Sequence, residues 1–184
     1  MIDSGERDRL GRRVTLRPVG DDNWRPVADV APRDDQRGFV PALAARYLLL
    51  TTHSDVWKSL AVYADETVVG HVMWGVDDDG SRWIGGMVID AAEQGRGVGR
   101  ATVRTLAGHL AQAGHPVRLS YHPDNTAAVA LYSSLGFHPT GAMEDEELVA
   151  ELPTPPPPPP PRGDPAARLA DHEVGGDDGD RTCR

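Results

Sequence analysis

The chain has 184 residues, of which 39% are hydrophobic and 26% charged, with a formal net charge of −9. That size suits one domain with a substantial core. The acidic balance argues against a nucleic-acid binder working through a basic groove, and no apolar run approaches the ~20 residues needed to span a bilayer as a helix.

Residues 1–13 are charged and lack both periodicity and an apolar h-region, so they are expected to be a flexible N-terminus with no secretory signal. A cytoplasmic protein follows as the expectation, and Cys183, the only cysteine, excludes an intrachain disulfide. Residues 14–18 alternate like a strand. Residues 21–31 and 41–51 read as helices around a polar connector, Arg33-Asp34-Asp35-Gln36-Arg37-Gly38. Residues 60–64 and 67–76 read as two strands joined at Asp65-Glu66, and Asp77-Asp78-Asp79-Gly80 is a second turn before a strand over 81–90. A helix is predicted over 97–113, with Gly99, Val103, Leu106 and Leu110 in one stripe. Strand returns at 116–121. Asp124 or Asn125 can cap a helix running to Leu135, and strands near 137–141 and 147–152 close the domain. The succession predicts an α/β fold with a mixed sheet over residues 14–152. From Pro153 onward the composition changes. An unbroken proline run over 155–161 favours a polyproline II rod, and residues 162–184 hold too little apolar surface to offset their ordering entropy. The stretch 153–184 is therefore expected to be a disordered tail.

The most informative stretch is Gln94-Gly95-Arg96-Gly97-Val98-Gly99-Arg100, between a predicted strand and a predicted helix. Glycines let backbone N–H groups approach a phosphate. The first N–H groups of a helix have no internal partners and sit at the positive end of its dipole. Together they form an anion cradle suited to a pyrophosphate, with Arg96 and Arg100 adding charge. Two rival motifs fit poorly. A P-loop needs a Gly-Lys-Ser/Thr that is missing here, and a dinucleotide fingerprint would place glycine or alanine at Arg100 and come at the first strand.

Gln94-x-x-Gly97-x-Gly99 resembles motif A of the GNAT acetyltransferase superfamily. Asn125-Thr126-Ala127-Ala128-Val129-Ala130-Leu131-Tyr132-Ser133-Ser134-Leu135-Gly136-Phe137 resembles its motif B, at a matching distance with a strand between. Residues 33–40, 83–90 and 119–125 are similar to the bacterial spermine/spermidine (diamine) acetyltransferase branch. Gly85-Gly86 stands where that branch commonly carries a basic or bulky residue. The resemblance implies the GNAT fold: a mostly antiparallel sheet of six to seven strands flanked by helices, with a splayed central pair. It implies acetyl-coenzyme A as co-substrate, with the backbone of Met87, Val88 and Ile89 along the pantetheine arm and one of their N–H groups as oxyanion donor. Gln94, Gly95, Arg96, Gly97, Val98, Gly99 and Arg100 would hold the pyrophosphate. Tyr132 takes the position of the general acid that protonates the departing thiolate.

Asn125 has two readings, a pantetheine contact or a helix cap. The general base stays open among Asp35, Glu144, Asp145, His122 and a water chain. Asp34, Asp35 and Glu144 are candidates for binding a small cationic amine such as a polyamine. An aminoglycoside, amino acid or protein N-terminus is the alternative acceptor, and a non-catalytic acyl-coenzyme A binding module is the alternative of a different class. No metal is expected, because the sequence has no ligand cluster. The resemblance also allows a homodimer.

Overall fold

The computed structural model describes residues 1–153. The proline run and the segment after it lie outside the described residues. Seven strands form one sheet in the order β1-β2-β3-β4-β5-β7-β6. β1 (Val14–Pro18), β2 (Lys58–Ala64), β3 (Thr67–Val76) and β4 (Arg82–Ile89) form an antiparallel meander. β4 and β5 (Val117–Tyr121) are parallel, as a crossover through a helix requires, and β7 (Glu147–Leu152) and β6 (His138–Glu144) complete the sheet antiparallel. This is the mixed, mostly antiparallel sheet flanked by helices that the sequence predicts.

α3 (Val98–Ala111) provides the crossover. It buries Val98, Ala101, Val103, Leu106, Ala107 and Leu110 against the sheet, so the predicted stripe faces the core. Leu16, Val62, Val72, Ile84 and Leu119 meet it from the strands, and Tyr132 and Phe137 close the cluster. α4 (Thr126–Ser133) approaches the start of α3, where a Cβ at Gly99 would lie 3.8 Å from Leu131 Cδ2. α1 (Trp24–Ala28) and α2 (Ala45–Thr52) are shorter than predicted. Val27 of α1 packs with Ala61 and Tyr63, with Leu48 of α2 against them, and Val30 and Ala44, just outside the two helices, meet Val88. Among the described residues no helix is long and apolar enough to cross a membrane.

The N-terminal segment departs from expectation. Ile2 pairs with Leu16 and Arg7 with Arg13, and the segment runs back along α3, where the Ser4 and Thr105 hydroxyls are 2.7 Å apart. The buried carboxylate of Asp8 organises the loop. It accepts from the Leu10 and Arg12 backbone N–H groups and from Arg12 Nε at 2.8 Å. Charge-assisted hydrogen bonds, which leave no periodic trace in the sequence, hold this segment in place of an apolar face.

Candidate active site

The sheet parts at one place. β4 and β5 pair only through Arg82–Val117, Trp83–Arg118 and Ile84–Leu119. Beyond that point Ser120 and Tyr121 pair with Val149 and Leu148 of β7 and leave residues 85–89 without a β5 partner. The predicted splay therefore begins at Gly85. On its other edge β4 carries a bulge, in which Gly86 and Met87 together oppose Val72 of β3. Gly86 has φ +53°, and a Cβ there would lie 2.7 Å from Met73 Cε and 3.1 Å from Tyr47 Cδ1. At Gly85 a Cβ would lie 3.0 Å from two carbons of the Trp57 ring. The two glycines thus admit the Trp57 and Tyr47 rings against β4 where the split begins.

His71 holds the bulge. It is fully buried, with Nδ1 2.9 Å from the Gly86 carbonyl and Nε2 2.9 Å from Ser59 Oγ. A carbonyl only accepts, so Nδ1 carries the proton and Nε2 accepts from the Ser59 hydroxyl. Burial lowers the His71 pKa to about 4, against a smaller opposing effect of the Gly86 hydrogen bond, and the ring stays neutral.

The end of β4 leads into the glycine turn. Val88 packs in the small cluster with Val30 and Ala44, while Met87 and Ile89 pack against the main core. Their side chains serve the core. Gln94 Nε2 donates to the Ile89 carbonyl at 2.9 Å and to Gln36 Oε1 at 2.7 Å, tying the strand end to the connector. Gly95 and Gly97 have φ +75° and +87°, the left-handed region that favours glycine, and Gly97 precedes the first residue of α3. The first-turn N–H groups of Val98, Gly99 and Arg100 have no carbonyl a turn back within the helix. Arg96 pairs with Glu93 at 2.9 Å, and Arg100 donates to Ser134 Oγ at 2.6 Å. The N-terminal segment reaches this turn as well: Arg9 donates from its backbone N–H to the Arg96 carbonyl at 2.7 Å and from Nη1 to the Gly95 carbonyl at 3.0 Å. A left-handed turn, open helix N–H groups and nearby arginines suit a pyrophosphate.

α4 contributes two predicted residues. Asn125 Oδ1 accepts from the Ala128 N–H at 3.1 Å, so this side chain caps the helix. Tyr132 is buried between Tyr121 and Phe137, with ring centroids at 5.6 and 6.0 Å. Burial, then the charge of Glu147, push its phenol well above the usual range and keep it protonated.

The acidic candidates separate. Asp34 pairs with Arg37 at 2.8 Å and Asp35 with Arg33 at 3.3 Å, all on an exposed turn. Glu144 instead lines an open cleft of ≈ 430 Å³ with Gly38, Phe39, His122 and the hairpin tip 145–147. The His122 ring lies tilted beside Phe39, with centroids 5.5 Å apart, and accepts from the Asp124 N–H. Sequence reasoning misses Glu147. It is half-buried at the start of β7 and accepts a 2.5 Å hydrogen bond from Ser120 Oγ, the first β5 residue past the split. Only the β5–β7 register brings it there.

A strand gap with free backbone polar groups, an anion cradle at one end, a buried phenol and an acidic mouth together suit acyl transfer from a phosphate-bearing carrier to an amine. Comparison with known proteins agrees. The Acetyltransferase (GNAT) family matches residues 24–137. The spermine/spermidine N(1)-acetyltransferase of Bacillus subtilis (strain 168) is 26% identical over 151 residues, covering 76% of this chain and 99% of that protein. The fold is shared with the GNAT domain of S. lividans PAT (TM-score 0.63, 19% identity, 81% of this chain and 95% of that one). It is shared also with AAC(6')-Ib in complex with ribostamycin and coenzyme A (TM-score 0.63, 20% identity, 77% and 93%). With the split sheet, the glycine turn and the family match all falling on the same residues, the chain belongs to the GNAT family of acetyltransferases.

Proposed function

We propose that this enzyme transfers the acetyl group of acetyl-coenzyme A to a primary amine of a small polycation of the polyamine class. The observation that carries the reading is the split between β4 and β5, with an anion cradle following the end of β4 and a carboxylate-rich cleft beyond the end of β5. Coenzyme A, when bound, supplies the thioester. Gly95, Gly97 and the first turn of α3 would hold its pyrophosphate, and the unpaired edge at 87–89 would take the pantetheine arm and supply an N–H donor for the thioester oxygen. The Asn125 carbonyl oxygen is committed to its cap, which leaves only its amide N–H₂ for the pantetheine.

Tyr132 gives a proton to the departing sulfur. Asp34 and Asp35 are neutralised by their arginine partners, so the acidic rim is the hairpin tip, where Glu144 stands. The likeness to the Bacillus polyamine enzyme over nearly its whole length supports this acceptor class over others. The AAC(6')-Ib likeness is one of fold. Coenzyme A release measured across polyamines, aminoglycosides, amino acids and peptides tests the reading. Spermidine and spermine are expected to have the highest kcat/KM, and preference for a neutral or zwitterionic acceptor would contradict it.

A further inference from the structure

We propose that Glu147 binds the acceptor's reacting ammonium group and takes its proton, in a pocket whose opposite wall is made by the Tyr47 and Trp57 rings standing over Gly86 and Gly85. The proposal rests on the acetyltransferase reading and assigns the base that the sequence leaves open.

The geometry begins at the split. Ser120 lies immediately past the last β4–β5 pair, and its hydroxyl fixes Glu147 Oε2 at 2.5 Å. Oε1 remains to accept from an incoming ammonium. Across the split, Trp57 and Tyr47 sit 3.0 and 3.1 Å from where Cβ atoms of Gly85 and Gly86 would be. Tyr47 is fixed further by stacking on His71 at 5.6 Å and 9°. Two aromatic rings and one oriented carboxylate at the split suit an ammonium group. The site opens to solvent through the cleft that Glu147 shares with Phe39 and His122, which gives the acceptor's chain and the released proton a way out.

The ionisable groups around Glu147 come from every side. Tyr47 approaches from α2, Tyr132 from α4, and Glu144, Asp145 and Glu146 from the hairpin tip, with His122 at the cleft. Burial first, and then the charge of Glu147, push the Tyr47 phenol up to about 12 and the Tyr132 phenol up as well. One carboxylate therefore acts on tyrosines from two helices on either side of it, and both phenols stay protonated. Of the carboxylates at this cleft, Glu147 is the one that the Ser120 hydroxyl holds at the split, and it serves as the proton acceptor. It takes one proton from the ammonium, and the freed lone pair forms the C–N bond at the acetyl carbon. The C–S bond breaks with its electron pair leaving on sulfur. Tyr132 protonates the sulfur and regains a proton from the nitrogen. Glu147 releases its proton to solvent, so an ammonium and a thioester become an amide, a thiol and one free proton.

The test compares wild type and Glu147→Gln over a pH series with spermidine, and with the best amine of the panel if that is another. Gln keeps the shape and can still accept from Ser120. The expected result is a ~100-fold loss in kcat/KM near neutral pH, with unchanged coenzyme A affinity by calorimetry. That loss should shrink as pH rises and the amine deprotonates in solution, and Glu147→Asp should retain part of the activity. A Gln variant within about threefold of wild type, or a deficit that stays constant with pH, overturns the assignment while leaving the acetyltransferase reading intact. Wild-type protein that binds coenzyme A and acetylates no amine overturns that reading, and this assignment with it.

Discussion

At the scale of single residues, the site depends on groups whose protonation is set by burial. Tyr132 is the clearest case. Its phenol is held protonated by desolvation and by Glu147, which suits a group that gives a proton at the moment the C–S bond breaks. Tyr132→Phe preserves the packing on Tyr121 and Phe137 and removes one hydroxyl. It is expected to lower kcat by ~100-fold with coenzyme A affinity within about twofold of wild type. Equal kcat with a chemistry-limited amine would remove Tyr132 from the reaction.

His71 makes a second prediction, about stability. Its folded pKa of about 4 lies below the usual value of 6.5, so the unfolded chain binds the extra proton between those two pH values. Stability is therefore complete above about pH 6.5 and falls as pH drops towards 4, by roughly 3 kcal/mol from this group alone. His71→Gln can keep the donor to the Gly86 carbonyl and cannot titrate. Urea midpoints measured across that window are expected to fall less steeply for the variant than for wild type. Parallel curves would contradict the neutral, buried imidazole.

At the scale of elements, the same distinction explains what the sequence reveals. The strand and helix alternation is legible because apolar side chains run nearly unbroken through β2 and β3, alternate in β5 at Val117, Leu119 and Tyr121, and recur at helical spacing in α3. The hairpin at Asp65-Glu66 is marked by its composition, and Asp65 adopts φ +54° there. The glycine turn is legible because Gly95 and Gly97 adopt conformations other residues avoid. Glu147 is not legible, because one more acidic residue after an acidic turn resembles a solvated charge until strand register sets it beside Ser120. Gly85-Gly86 is visible as a departure, but its meaning needs the bulge and the rings that fill it.

The N-terminal segment is hidden for a related reason. Its anchors are Asp8, Arg12 and Glu93, with Arg12 Nη2 reaching Glu93 Oε2 at 2.5 Å from 81 residues away. This gives an element-scale prediction. The segment donates two hydrogen bonds, both from Arg9, to the carbonyls of the glycine turn. Each such bond contributes about 1 kcal/mol net. Removing residues 1–10 is expected to loosen the turn and weaken coenzyme A binding ~10-fold while leaving the β-sheet intact. Calorimetry showing unchanged affinity on truncated, folded protein would mean that the cradle holds its shape unaided.

At the scale of the whole molecule, one interruption in an otherwise continuous sheet organises the function. β1 to β4 and β5 to β7 are two antiparallel blocks joined by three residue pairs, and they diverge where the chain places its bulge, its glycine turn and Glu147. In the proposed arrangement the glycine turn and α3 would face the coenzyme, while the β6–β7 hairpin and the connector end line the cleft through which the acceptor would enter. The net charge of −9 adds long-range attraction for a polycation, and salt should weaken that attraction. The most direct test of this arrangement is a single reaction of the purified full chain with acetyl-coenzyme A and spermidine, followed for thiol release and by mass spectrometry of the amine. The account predicts one thiol released for each acetyl group found on spermidine nitrogen, at a rate that falls with ionic strength. Tight coenzyme A binding with no acetylated amine, from spermidine or any other member of the panel, would contradict it.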